Sequence, residues 1–373
     1  MTLKKLAGPP TVSDVARLAK VSTATVSRTI NQPDKVRPEL RSRVLEAVRT
    51  LGYIPNAGAR ALMLNRSNTI GVVIPTLTNT IFAQSLAGFQ QRMAESSFQV
   101  IVACSEYNID FETEQILNLV KCGVEAIALT GTSQELWILR LLQKRDLPYI
   151  HVACRHAPLD GYTIGFENDK AMNLVVDHLL ELGHKYIGVL IGITKDNDRA
   201  TGRLRGVKEA LQKEGLHLPH NRIVESSYPM ASARQGLRAL LKEAPEITAV
   251  ICGNDLIAQG AILEAQHSGV DIPRDLSIIG FDDFEMSAHT LPGVTTIHTD
   301  AQKMWGKAAQ HLIAQINSDK SLARHVPTEV RLIVRESTAA PRRTKLKLGE
   351  SLSSRLLPPT RTPGHNLENQ HKA

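Results

Sequence analysis

From Thr69 onward the chain repeats one pattern, a short β-branched apolar run followed by a stretch with helical periodicity. The runs are TIGVVIP, QVIVACS, VEAIALTG, LPYIHVA, YIGVLIG, AVICGND and LSIIGFDD. Each is apolar on both faces, as expected of parallel strands buried between layers of helix. No other feature constrains the fold so strongly: the body is α/β and doubly wound. Such sheets bind ligands in the crevice beyond the carboxyl ends of their strands. Here those ends carry polar residues: Asn79 after the first run, Asn254 and Asp255 after AVICG, Asp282 and Asp283 after SIIGF.

The 373 residues allow two or three domains, and charge divides them. Residues 1–66 hold 12 Lys+Arg against 4 Asp+Glu, residues 67–340 hold 25 against 31, and residues 341–373 hold 7 against 2. A small basic head on a mildly acidic body indicates that the head meets a polyanion while the body has another task. The tail after residue 340 is rich in Pro, Ser and basic residues, and is expected to be disordered.

Within the head, Thr11 can N-cap a helix with Asp14 in its first turn and Val12, Val15, Ala16 and Ala19 as its apolar stripe. That helix ends at Ala19-Lys20-Val21. Ser22 caps a second helix, Thr23 to about Thr29, whose Val26 and Ile30 face inward. A third helix runs from Pro38 to Gly52. Two short helices joined by a tight turn form a helix-turn-helix, whose second helix lies in the DNA major groove. This accounts for VSTATVSRTIN, a poor choice if helix stability were the only aim. Short side chains at Thr23, Ala24, Thr25 and Ser27 let the backbone approach the DNA, and Arg28 reaches a guanine edge or a phosphate.

TVSDVARLAKVSTATVSRTIN, LGYIPNAGARAL and NTIGVVIP, then LLELGHKYIGVLIG, CGNDLIAQGA, DLSIIGFDDF and VRLIVREST, resemble in content and order the LacI/GalR family of bacterial transcription repressors. The resemblance covers the chain from about residue 11 to 340. It implies a helix-turn-helix domain at residues 1–53, a hinge helix and linker at 54–66, and an effector-binding and dimerisation domain at 67–340, followed by the tail at 341–373. In the hinge, Asn56, Arg60 and Leu62 are implied DNA contacts, with Leu62 the apolar wedge that kinks the minor groove. Gly58 in the hinge, Lys20 where the family usually has glycine in the turn, and Arg37 where a capping Ser is common depart from the pattern.

For the body the resemblance implies two Rossmann-like subdomains, as in periplasmic sugar-binding proteins, closing on a small molecule. Carried over by motif, the effector residues are Arg203 in GRLRGV, Tyr228 in SSYPM, Asn254 in GNDL and Asp282 in GFDD, with Asn79 and Phe82 in TNTIFA on the other side. Such a set suits a polyol, with an aromatic face for the ring and Asn, Asp and Arg for hydroxyls. Singly, each has a plainer role: Asn254 can satisfy a strand end, Asp282 can cap a helix and Arg203 can form a surface ion pair. PTLTNTIFAQSL, VACSEYNIDFETEQ and IGFENDKA look more similar to the gluconate-utilisation repressor branch. Arg203, with Arg199 and Lys195 on the same segment, can accept a carboxylate.

These features lead to a homodimeric repressor of sugar or sugar-acid utilisation genes that binds double-stranded operator DNA and is released by a small-molecule inducer. The alternatives are a ligand acting as corepressor and a DNA-independent sugar-binding protein; the latter predicts a secretion signal and no basic head. No GxSxG, P-loop, HExxH or glycine-rich dinucleotide turn is found, so no enzyme is expected, and no cofactor or metal. Cys104, Cys122, Cys154 and Cys252 are far apart in apolar surroundings and are expected to be buried free thiols. With no run of eighteen apolar residues, a cytoplasmic protein is expected.

Overall fold

The computed structural model describes residues 8–55, 66–319 and 321–342, and the chain divides into two compact units between Ser67 and Asn68. Residues 56–65 of the hinge helix and linker expected at 54–66, with Asn56, Arg60 and Leu62 among them, and the tail from 343 lie outside the described residues.

In the first unit, α1 (Val12–Ala19), α2 (Thr23–Asn31) and α3 (Pro38–Leu51) pack around Val15, Val26 and Val44, all fully buried. Thr11 and Asp14 cap α1 reciprocally: Asp14 N donates to Thr11 Oγ1 at 3.3 Å and Thr11 N to Asp14 Oδ2 at 3.0 Å. Lys20 ends α1 in the left-handed region, at φ 52° and ψ 51°, a conformation that favours the glycine it replaces. Arg43 on α3 donates to the carbonyls of Ala19 and Lys20, so α3 satisfies the end of α1 that a poor C-cap leaves. Ser22 Oγ accepts from Thr25 N at 3.1 Å and caps α2. That helix runs to Asn31 rather than Thr29, because Ile30 packs on the three-helix core and the break comes only ahead of Pro33.

The second unit holds two six-stranded sheets. The first, ordered β11-β5-β4-β3-β1-β2, is parallel throughout: β1 (Thr69–Ile74), β2 (Gln99–Cys104), β3 (Ile127–Thr130), β4 (Tyr149–Val152), β5 (Tyr162–Gly165) and β11 (His325–Pro327). The second, ordered β12-β10-β9-β8-β6-β7, contains β6 (Ile187–Gly192), β7 (Ile223–Ser226), β8 (Ala249–Cys252), β9 (Ser277–Asp282), β10 (Thr295–Thr299) and β12 (Val330–Ile333). Only the β10–β12 pair is antiparallel. The seven apolar runs of the sequence are β1–β4, β6, β8 and β9. The chain therefore passes between the sheets after β5, after β10 and after β11, and its helix Ala301–Ile316 returns to the first half. There it lies against the helix Thr80–Glu95 so closely that a Cβ on Gly88 would stand 2.1 Å from the Gln302 carbonyl oxygen. Helices cover both halves, and Trp305, Phe89 and Phe281 are the largest fully buried side chains.

All four cysteines are free, but they are not all buried. Cys122 is exposed where the helix Ile109–Lys121 ends at the surface and Cys104 at the end of β2 is half-buried, which corrects the expectation for those two thiols.

Candidate effector cavity and DNA-reading helix

The carboxyl ends of both sheets face one cavity, where topology places the crevice of a doubly wound fold. Asn79, Phe82, Arg203, Tyr228, Asn254 and Asp282, drawn from five separate stretches of chain, all line it. Its volume is about 60 Å³. It is a small site.

Asn79 and Asn254 occupy equivalent places in the two halves. Each follows a strand and caps the helix after it: Asn79 Oδ1 accepts from Ile81 N at 3.3 Å, and Asn254 Oδ1 from Ile257 N at 2.9 Å. Asn254 thus caps a helix rather than a strand end, and the cap fixes the side chain at the cavity wall. Arg203 is not a surface ion pair. On the helix Asp198–Lys213, its Nε donates to Asn168 Oδ1 at 3.0 Å, its Nη1 to Gly253 O at 2.6 Å, and its Nη2 lies 3.5 Å from Asp282 Oδ1. Its guanidinium carbon sits 3.6 Å from the Phe281 ring centroid, so the cation is held on a π face as well.

Asp282 does not cap a helix. It leaves β9 with φ 105°, which a side-chain-bearing residue rarely adopts, and Asp283 follows at φ 57°. The two neighbouring carboxylates consequently part company. Asp283 accepts from Arg335 Nη2 at 2.6 Å and from His298 Nδ1 at 2.8 Å, an anchor that holds the turn. Asp282 is left facing the cavity, where burial lifts its carboxyl to about 6 although Arg203 and Arg199 pull it down. Behind both, Asp255 is fully buried and accepts from Phe284 N at 2.8 Å, Ser287 Oγ at 2.6 Å and Thr296 Oγ1 at 2.5 Å.

Sequence reasoning missed several lining residues. Tyr107, in the loop after β2, stacks on Tyr228 with centroids 4.8 Å apart and planes at 21°. Tyr228 Oη accepts from Asn197 Nδ2 at 3.0 Å, and a Cβ on Gly192 would stand 2.5 Å from that oxygen, so only glycine fits beneath the ring. Arg199, set beside Arg203 in the sequence as a carboxylate partner, does line the cavity, its Nη1 donating to Thr130 O at 3.1 Å and to Asp198 Oδ1 at 2.8 Å, whereas Lys195, named with it, is exposed and does not line it. Trp305 arrives from the returning helix. Tyr107 carried a signal, its position just past a strand end; Trp305 carried none, because its place depends on the chain's late return to the first sheet.

On α2, Thr23, Ala24 and Arg28 are exposed along one face, and Thr25 and Ser27 are half-buried beside them. The latter two hydroxyls have local partners: Thr25 Oγ1 lies 2.9 Å from Ser22 Oγ, and Ser27 Oγ accepts from Asn31 Nδ2 at 3.3 Å.

Residues 11–56 match the family of bacterial regulatory proteins, lacI family, and residues 176–338 the periplasmic binding protein-like domain. The chain is 32% identical over 342 residues to the HTH-type transcriptional repressor CytR of Escherichia coli, an alignment spanning 91% of this chain and 99% of that protein. It belongs to the LacI family. This LacI-family chain is also 30% identical to catabolite control protein A of Priestia megaterium, over 88% and 99% of the two chains, and 28% identical to the regulator GntR of Escherichia coli, over 83% and 93%. The solved structure of the lac repressor dimer bound to operator and the anti-inducer ONPF matches the LacI-family chain with a TM-score of 0.78 at 26% identity, over 89% of this chain and all of that one. The LacI-family chain is thus a DNA-binding transcriptional regulator with an effector-binding domain, and not an enzyme.

Proposed function

We propose that this regulator is a homodimeric repressor of sugar-acid utilisation genes, gluconate-like in its effector, that leaves a near-palindromic operator when the effector binds between the two sheets. The observation that carries the sugar-acid reading is the convergence of two guanidinium groups, Arg199 and Arg203, on one small cavity whose one lining carboxylate is Asp282. A carboxylate ligand can take donors from Arg199 and compete with Asp282 for Arg203, while Asn79 and Asn254 present amides and Tyr107 and Tyr228 an aromatic wall. The effector residues are then Asn79, Phe82, Arg203, Tyr228, Asn254 and Asp282. The DNA contacts are Thr23, Ala24, Thr25, Ser27 and Arg28 on α2, joined by Asn56, Arg60 and Leu62.

A dimer is supported by the head itself, because one short helix offers few base contacts and two-fold symmetry doubles them. The lac repressor structure is that of a dimer on its operator, and another similar structure is a CelR–cellobiose complex. Release by ligand requires that the effector prefer the DNA-incompetent arrangement. A thermal-shift screen of sugar acids, neutral sugars and nucleosides, followed by gel shifts with the best ligand, tests the reading. A sugar acid that raises the melting temperature and weakens operator binding is the expected result. A response confined to neutral sugars or nucleosides overturns the sugar-acid reading, and tighter operator binding on ligand addition makes the ligand a corepressor.

A further inference from the structure

A second and larger cleft lies on the other side of the residue Met304. By the same measure it offers about 310 Å³, within the range of about 300–1,000 Å³ usual for small-ligand sites. It is formed where the chain passes between the sheets, by the end of β10, the first turns of the helix Ala301–Ile316, and the stretch Pro327–Arg331. Three cations converge on it. Lys303 and Lys307 are one helical turn apart on the same face, and Arg331 comes from β12. Among the described residues none of their charged groups has an ion pair or hydrogen bond, and like charges at i, i+4 repel. The lining also holds two carboxylates, Asp300, whose Oδ1 accepts from Lys303 N at 3.0 Å, and the exposed Glu329, so the three cations outweigh them by one charge.

We propose that this cleft is a second binding site, for a small organic phosphate, and that its occupation is felt in the effector cavity. A phosphate brings close to two negative charges and three acceptor oxygens, enough for three donors arriving from two elements, where a single carboxylate would satisfy fewer. Glu329 and Thr328 at the rim accept hydroxyls of the organic part. Two routes lead from this cleft to the first. Met304, buried, lines both cavities, so a ligand pressing on it bears on a shared wall. His298, in the cleft lining, is bonded to Asp283, whose chain neighbour Asp282 faces the effector. A ligand holding Lys303 and Lys307 of one half to Arg331 of the other also bridges the segments that connect the halves.

Isothermal titration of the full-length protein with inorganic phosphate and with glucose 6-phosphate, against glucose and sodium sulfate at matched ionic strength, tests this. Both phosphates should bind, glucose 6-phosphate the tighter, with glucose silent and sulfate at least tenfold weaker. Lys307→Gln alone should weaken glucose 6-phosphate tenfold, and Lys303→Gln with Arg331→Gln should abolish its heat. Lys303 and Arg331 are exposed and Lys307 is half-buried, and an unchanged unliganded melting temperature confirms folding. Equal binding of sulfate and phosphate, or no heat from either phosphate, overturns the proposal. So does loss of binding in Arg203→Leu with full binding in Lys307→Gln, which places the phosphate in the effector cavity; the sugar-acid reading is judged separately, by the screen described above.

Discussion

Arg203 Nη2 stands 3.5 Å from Asp282 Oδ1 with both side chains nearly shut from solvent, at 12% and 7% exposure. Neither charge is affordable without the other, since a buried ion left unpaired by truncation of its partner costs about 3–5 kcal/mol. Arg203→Leu and Asp282→Leu should each lower unfolding stability by about that much, while the double variant loses clearly less than the sum. Urea unfolding of the four proteins measures the coupling. Additive losses would show that the two charges do not stabilise one another.

A pH dependence follows from Asp255. Burial lifts its carboxyl to about 7 against hydrogen bonds from Ser287, Thr296 and Phe284, so the native protein retains a proton there that the unfolded chain releases near 4. The folded value is raised, so the contribution to stability is complete below about pH 4 and is lost as pH climbs through 7. Asp255→Asn, neutral throughout, should therefore gain on the wild type between pH 5 and pH 8, by about 3 kcal/mol. Thermal melts across that range decide it: parallel curves for the two proteins would mean that Asp255 is ionised in the folded state at pH 5.

Lys20 gives a prediction of opposite character, a gain from removing a side chain. Its left-handed backbone suits glycine, and Arg43 already supplies donors to the adjacent carbonyls. Lys20→Gly should raise the stability of the head by about 0.5–1 kcal/mol. Hydrogen exchange of the α1 amides reads this locally, and faster exchange in the variant would contradict it.

The runs that became β1–β4, β6, β8 and β9 were legible because they are apolar on both faces, and the head because its caps and stops are local. β5, β7, β10, β11 and β12 were not read as runs. β10 is TTIHT, whose buried threonines are satisfied by Asp255, Arg335 O and Ser337 rather than by any local pattern, and β7, β11 and β12 lie at sheet edges where half-buried residues suffice. In the site, Asp282 could be placed at a strand end and Arg203 by its motif. Their pairing could not, because it depends on a turn at Asp282 with φ 105° that no local rule demands of an aspartate. The division of labour between Asp282 and its neighbour was hidden for the same reason, since Arg335 and His298 come from distant segments.

Arg28 is exposed on α2, flanked by the short side chains of Thr23 and Ala24 one turn earlier, and its role on DNA separates into two measurable cases. If it contacts a phosphate, Arg28→Ala should weaken all DNA sequences alike and reduce the magnitude of the slope of log K against log salt by about 1, because one fewer counterion is released. If it reads a guanine edge, the loss should be about 1–3 kcal/mol on the preferred operator, with relaxed preference at one base pair and unselected DNA nearly unaffected. We expect the second, since a helix carrying short side chains ahead of Arg28 can lie deep enough for its guanidinium to reach the groove floor. Fluorescence anisotropy at four salt concentrations, on an operator selected from a random pool and on unselected DNA, distinguishes them. Effector binding should be unchanged in either case, because Arg28 and the cavity belong to separate compact units; a parallel loss of both affinities would overturn the assignment of DNA reading to α2.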